Sequence, residues 1–564
     1  MGRFMSTDAQ SNPGVVAPIL PMPVQPRTSM ATGLTLVLLG AALLVFGLPQ
    51  LFYPLWFDQG SFAACAQTLL RGGAMYRDCW EVRGPLVPLL YALPMLLASQ
   101  PWWPVAIHAF DLVCAAGTSI LVGLIAHDWF DTAPSANRPD YVPLDASFVP
   151  FVAGGLYWLM YATLNYWSTA QAEGFSNLLL VLSLWLGGKF SHRLSTSRTA
   201  YVWAGLCCGL VVWLKYPFVL FGLAFALVLM FSLRWRALFW FVVGALLAIL
   251  LGMAALWLSG SGPDWLMHLN YDWATFHAIS WEERQLWLRT LFREEVIAFV
   301  QKGSTPTAGF KDTVPQVEWL GRGYPLIFVL AGLSLRKLFG RSQAGRGVFL
   351  ALLYFVLAVV VNIWQGHSYR YHFLVALPGL ALLAGGALKS ERTFIQVLAA
   401  ILSIGAFAGL VATMWPWVRD AYDNVLLQYK TPQQLYLESK QADDSRLAEF
   451  IRQNTAPDER VVIFSDVPAV YVLANRPNGT RFPYLRWFEE GRSAVALEYY
   501  EQRFLDDLAF SQPKFFILTK DNAPWPEARF GETLKRMSAV NAYVQSRYDY
   551  ATDIGPFVVF KRKN

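Results

Sequence analysis

The chain has 564 residues, 55% of them hydrophobic and only 15% charged, with a mean hydropathy of +0.36. Soluble domains carry about a quarter charged residues, so this composition excludes an ordinary soluble protein and points to a polytopic membrane protein. The net charge of +6 collects in short loops between apolar runs, where it sets topology, so no nucleic-acid partner is expected.

Residues 1–31 are polar and Pro-rich and read as a disordered cytoplasmic tail. The first apolar run, 32–54, is too long for a signal peptide and lacks a convincing cleavage site, so it reads as an uncleaved span. Further runs of spanning length fall at 104–127, 148–166, 174–190, 200–215, 217–233, 237–258, 323–337, 347–364, 372–388 and 393–416, giving about eleven spans. The stretch 85–99 is short and holds Pro85, Pro88 and Pro94. The basic loops 189–198, 234–236, 336–346 and 389–392 share the cytoplasmic side with the N-terminus only if 85–99 does not cross. It is therefore expected to dip into the outer leaflet.

The expected fold is an all-α membrane bundle over 32–416 with a soluble α/β domain over 417–564 on the outer side. Two outer segments interrupt the bundle, 55–103 and 259–322. The second holds an amphipathic stretch, 281–300, in which Trp281, Leu288, Leu291, Phe292, Val296 and Phe299 alternate with Glu and Arg. In the C-terminal domain, β-rich runs at 460–465, 514–519 and 557–562 alternate with helical stretches at 446–453 and 526–537. Cys114, Cys207 and Cys208 lie in apolar runs as small core residues. Cys65 and Cys79 share one polar loop, and facing an oxidising compartment they would close a loop worth about 3 kcal/mol.

The ionisable residues of this topology gather at one level. Asp58 follows the first span, and Asp78, Glu81 and Arg83 share its outer loop. Glu173 starts the span at 174–190 from outside, Lys215 ends the span at 200–215, and His367, Arg370 and His372 join two later spans on the outside. A charge at a helix centre costs roughly 2.5–3.5 kcal/mol on insertion scales, so such a gathering asks for a purpose. It fits a site for an anionic, lipid-linked substrate, with cations on phosphate and a carboxylate as base.

Plainer readings stand beside these. Asp58 could cap a helix, Asp78 and Glu81 could be solvated loop charges, and Glu173 could complement a helix dipole. Lys215 could snorkel to headgroups, and Arg370 and His372 could anchor the interface with Tyr369 and Tyr371. Asp111, the acid within a span, reads as hydrogen-bonded inside the bundle. His268 and His277 lack metal-ligand spacing.

Four segments carry a family resemblance. They are FDQGSFAACAQTLLRGGAMYRDCWEVRGPLVPLLYALP, AEGFSNLLLVL, GLCCGLVVWLKYP and GHSYRYHFLVALPGLALLAG, in order over about residues 50–390. Together they resemble the GT-C membrane glycosyltransferases, in the bacterial branch that includes lipid A aminoarabinose transferases, rhizobial core galacturonosyltransferases and, more distantly, protein O-mannosyltransferases. The resemblance implies an inverting enzyme of the bacterial inner membrane, with its site and C-terminal domain on the periplasmic side. It would move a sugar from a polyprenyl-phosphate carrier to a glycan, lipid or protein acceptor. It implies Asp58 as general base, and Lys215, Arg370, Arg83 and His372 on the donor phosphate. Asp78, Glu81 and Glu173 would orient the site or hold the acceptor. Many relatives have Glu after the first Asp where this chain has Gln59, and Lys where it has Arg83. Gln59 supplies no second carboxylate, so a divalent cation stays an open expectation rather than an assigned cofactor. Two other functions remain open. One is a transporter or flippase, which would carry inverted repeats and broken helices at the midplane. The other is a scaffold whose tail binds a partner.

Overall fold

The computed structural model describes residues 40–41, 43–130, 148–188, 197–278, 323–339, 342–365, 369–389, 392–438, 441–485, 494–520 and 530–563, with isolated positions at 282, 285, 286, 289 and 488. For residues 188, 271–278, 370 and 494–497 it describes the backbone alone. The N-terminal tail, residues 32–39 and 42 of the first apolar run, most of the amphipathic stretch 281–300, His367 and the Arg370 side chain lie outside the described residues.

The segment 55–103 folds around two helices, α1 (Phe57–Leu70) and α2 (Leu86–Leu97). At about 1.5 Å per residue, twelve residues of α2 reach only about 18 Å, too short for a hydrocarbon core of about 30 Å. It buries Val87, Tyr91 and Met95 and exposes Leu89, Leu93, Leu96 and Leu97. One face packs on protein, and the other is apolar and outward.

The bundle follows with α3 (Trp103–Phe130), α4 (Phe148–Ala162), α5 (Ala172–Gly188), α6 (Arg198–Val212), α7 (Val219–Phe231), α8 (Trp235–Leu258) and α9 (Gly262–Ala278). It continues with α10 (Tyr324–Ser334), α11 (Gln343–Trp364), α12 (Leu377–Ala387) and α13 (Thr393–Ala421). Among the described residues, four helical stretches are long and apolar enough to cross a membrane: Gln100–Phe130, Trp235–Leu258, Gln343–Trp364 and Thr393–Leu427. The other apolar helices are shorter. The main core joins α3, α4, α10, α11 and α12 through Val122, Leu156, Ile327, Ala351 and Leu380. Elsewhere the helices turn apolar side chains outward. In α8, Ala237, Phe241, Gly244 and Ala248 are buried at helical spacing while Leu246, Leu247, Leu250 and Leu251 are exposed. Small residues at the contact and large ones outside suit a lipid solvent.

Helix α13 runs past 417 to Ala421 and continues as a π-helical stretch, Tyr422–Leu427. The C-terminal domain then forms α14 (Pro432–Leu437), α15 (Ala442–Asn454), α16 (Ala469–Ala474), α17 (Ala494–Ser511), α18 (Phe530–Arg536) and α19 (Ser538–Arg547). Its sheet has β1 (Val461–Phe464), β2 (Phe515–Thr519), β3 (Tyr548–Ile554) and β4 (Phe557–Arg562), in the order β1-β2-β4-β3. β1 and β2 are parallel, with Val461 opposite Phe515, and the other pairs are antiparallel. β1, β2 and β4 fall on the three β-rich runs of the sequence. β3 has no counterpart there, because its exposed residues lack an apolar alternation.

This domain is seated on α1. A Cβ at Gly60 would lie 2.6 Å from the Ala469 nitrogen, so α16 can approach only a glycine there. The Tyr484 ring packs edge-on against Phe57 at 4.7 Å. The Tyr436 hydroxyl donates to the Tyr53 carbonyl at 2.9 Å, and Trp80 N–H donates to the Arg481 carbonyl at 2.7 Å. Arg481 also grips Asp507 at 3.0 Å and reaches Asp264 of α9 at 3.3 Å.

Candidate functional site

Asp58 lies in the first turn of α1, whose N-terminus is held by Gln59. The Gln59 carbonyl oxygen accepts from Trp56 N–H, and its amide donates to the carbonyls of Tyr166 (2.5 Å) and Thr169 (2.9 Å). A carboxylate at position 59 could accept from Trp56 but could not donate to either carbonyl. Gln59 thus stitches α1 to the loop that enters α5. The same loop is tied by Asp111, which accepts from the Tyr161 hydroxyl at 2.6 Å and Ala170 N–H at 2.9 Å. Its product is the placement of Gln171, whose Nε2 donates to Asp58 Oδ2 at 3.4 Å and to the Trp167 carbonyl at 2.8 Å.

Arg83 reaches the same Asp58 oxygen, with Nη2 at 3.9 Å, and donates to the Tyr371 hydroxyl at 3.2 Å. The side chains of Asp58 and Arg83 are 18% and 15% exposed, so this pair is open to a ligand. A close backbone approach carries Arg83 here. Gly84 N–H donates to the Leu214 carbonyl at 3.2 Å, and Leu86 N–H to the Trp213 carbonyl at 3.1 Å. A Cβ at Gly84 would sit 1.9 Å from the Trp213 oxygen, which no side chain tolerates. The loop therefore docks on the break between α6 and α7, where Lys215 is extended. Behind it, the Tyr76 hydroxyl donates to the Arg83 carbonyl at 3.3 Å, and His268 stacks on Tyr76. Burial pushes His268 down to about 3, so it is neutral and serves as a packing ring.

Lys215 forms a buried ion pair with Glu173 Oε1 in the first turn of α5. His372 Nε2 lies 3.8 Å from the same oxygen. A 3-10 stretch, Arg370–Ala376, delivers both His372 and Tyr371, and Asn177 of α5 fixes it by donating to the Leu374 carbonyl at 2.9 Å. Arg83 is within electrostatic reach of Asp58, Glu173 and Glu81, which together with Tyr371 raise its already high pKa against the opposing pull of burial.

Glu81 is buried beside this group. It accepts from the Ser61 hydroxyl and, at 3.3 Å, from Arg83 N–H. Burial pushes its carboxyl up to about 7, against the opposing effects of Ser61 and Arg83. A disulfide between Cys65 and Cys79 fastens the same loop to α1.

The fold thus brings Asp58, Glu81, Arg83, Glu173, Lys215 and His372 into one group. Asp78 stands apart, accepting from Ala74 N–H and pairing with Arg77, each at 2.7 Å, on an exposed turn. Arg370 shares the 3-10 stretch with His372 by its backbone. Sequence reasoning passed over Gln171 and Tyr371. Gln171 stood two residues before the acidic signal at Glu173, and Tyr371 read as a belt aromatic. Among the described residues no group of three or more His, Cys, Asp or Glu side chains is arranged to hold a metal ion.

No family model matches the chain, and no curated protein matches its sequence. Among solved structures it is similar to ArnT from Cupriavidus metallidurans bound to undecaprenyl phosphate, at 14% identity and a TM-score of 0.49, over 94% of this chain and 98% of that one. It is similar to the Archaeoglobus fulgidus oligosaccharyltransferase in its apo form, at 12% identity and 0.47, over 87% and 70%. AglB from Archaeoglobus fulgidus, in complex with an inhibitory peptide and a dolichol-phosphate, is similar at 12% and 0.43, over 94% and 74%.

Proposed function

We propose that this chain is an inverting glycosyltransferase that moves a sugar from a polyprenyl-phosphate-linked donor to an acceptor hydroxyl on the outer side of a bacterial inner membrane. The observation that carries this reading is the open Asp58–Arg83 pair set beside the buried Glu173–Lys215 pair. It offers a carboxylate and cations within one small group, as in-line displacement at a glycosyl phosphate needs.

The acceptor oxygen attacks C1 of the sugar while Asp58 takes the hydroxyl proton. Gln171 and Arg83 both engage Oδ2, which leaves Oδ1 as the oxygen to receive it. As the new C–O bond forms, the bond from C1 to the phosphate oxygen breaks, and the carrier leaves as a phosphate monoester with one more negative charge. Arg83, Lys215, Arg370 and His372 are the groups proposed to meet that charge. Because it grows along the reaction, fixed cations act mainly on the transition state. The acceptor is a glycan such as lipid A core or a cell-surface polysaccharide, another lipid, or a protein.

The test is a transfer assay with purified protein reconstituted in membrane lipid extract. Wild type should consume a polyprenyl-phosphate-linked sugar, and folded Asp58→Asn should lose at least about 100-fold, the low end for removing a general base. Full activity in Asp58→Asn, or no lipid-linked sugar consumed by wild type, would sink the proposal.

A further inference from the structure

Three buried polar atoms in this group make no hydrogen bond among the described residues: Arg83 Nε, Gln171 Oε1 and Glu173 Oε2. Gln171 and Glu173 are fully buried. The amide orientation of Gln171 is fixed by chemistry. Both atoms that meet its Nε2, the Asp58 carboxylate and the Trp167 carbonyl, can only accept, so Oε1 is the atom left over. Glu173 spends Oε1 on Lys215 and His372, which leaves Oε2. Buried polar atoms are rarely left unmatched, and each one that is asks for a partner.

The three atoms lie in one neighbourhood. Gln171 touches Asp58, Asp58 faces Arg83, and Arg83 is within electrostatic reach of Glu173. One of them donates and two accept. Their complement is a ligand with a hydrogen-bond acceptor on one side and hydrogen-bond donors on the other. A phosphate ester offers only acceptors. A glycosyl phosphate offers both, its phosphate oxygens to Arg83 and its sugar hydroxyls to the two acceptors.

Resting on the transferase reading above, we infer that Gln171 and Glu173 bind hydroxyl groups of the transferred sugar and determine which glycosylated carrier is accepted. The acceptors oblige that sugar to carry donor groups near its anomeric carbon. Bare polyprenyl phosphate leaves both atoms unmatched, so the product carrier binds more weakly than the donor and is released.

Binding separates this inference from catalysis. Competition binding in nanodiscs would compare bare polyprenyl phosphate with a polyprenyl phosphopentose and a polyprenyl phosphohexose. Wild type should prefer at least one glycosylated carrier by about 10-fold or more, the scale of one hydrogen bond to a charged acceptor. Gln171→Met changes no charge and should lower binding of that carrier towards the level of the bare one. Glu173→Gln should do the same, and elution as a monodisperse peak shows that each variant is folded. If folded Gln171→Met and Glu173→Gln both keep the wild-type preference, the assignment is overturned. If wild type binds the bare carrier and prefers neither sugar form, the inference falls while the transferase reading stands. If wild type binds none of the three, both fall.

Discussion

The Lys215–Glu173 pair offers the sharpest energetic test, because both side chains are buried and come from different helical segments. Lys215→Met would leave the Glu173 carboxylate fully enclosed, with His372 Nε2 at 3.8 Å from Oε1. Removing one partner of a buried pair costs about 3–5 kcal/mol, whereas a surface pair is worth about 0–1 kcal/mol. The double variant Lys215→Met/Glu173→Leu removes the stranded charge and fills the space with apolar atoms. It should therefore recover at least about 2 kcal/mol relative to the single variant. Unfolding in mixed detergent and SDS micelles, over the range where it is reversible, gives both numbers and their coupling. The double variant should fold and still fail to transfer sugar, since Lys215 is proposed to meet the donor phosphate. A single-variant cost below about 1 kcal/mol, or simple additivity in the double variant, would refute the buried-pair reasoning.

Three further outcomes are expected. Glu81 holds its proton more tightly folded than unfolded, so its contribution to stability is full below its ordinary value of 4.5 and is lost as pH rises through about 7. Glu81→Gln should flatten stability against pH across that window, and an unchanged slope would assign the pH dependence to another group. Gly84→Ala drives a Cβ into the Trp213 carbonyl, which should cost about 1–3 kcal/mol and, by moving Arg83, nearly abolish transfer; wild-type activity and stability would contradict the docking described above. Replacing Cys65 and Cys79 by Ser should lower stability by about 3 kcal/mol through loss of loop closure, as read in the same micelle titration, and no change would show that the native thiols are reduced.

Parts of the site were legible because ionisable residues are conspicuous against an apolar sequence. Asp58, Arg83, Glu173 and Lys215 stand out at the ends of apolar runs, and the fold gathers them. Gln171 and Tyr371 carry no charge, so nothing in composition marks them, and their importance lies in which atoms they meet. Asp78 shows the opposite case. It is charged and lies in the right loop, but an exposed turn uses it as a local acceptor. Gln59 shows how a departure from a family pattern acquires a meaning from geometry. In sequence it is a missing carboxylate, and in the fold it is an amide donor to two carbonyls.

Sequence alone determined the membrane character, the shortness of the helix in 85–99 and three of the four strands, since each follows from local hydropathy, proline content or β-rich runs. Tertiary structure alone decided that the C-terminal domain is built onto the helix bearing Asp58, through Gly60 and the Tyr484–Phe57 contact. It alone decided that Gly84 carries Arg83 to the break holding Lys215. The physical reason is range. Hydropathy and turn chemistry act over a few residues, whereas a glycine chosen for close approach is set by a backbone far away in the chain.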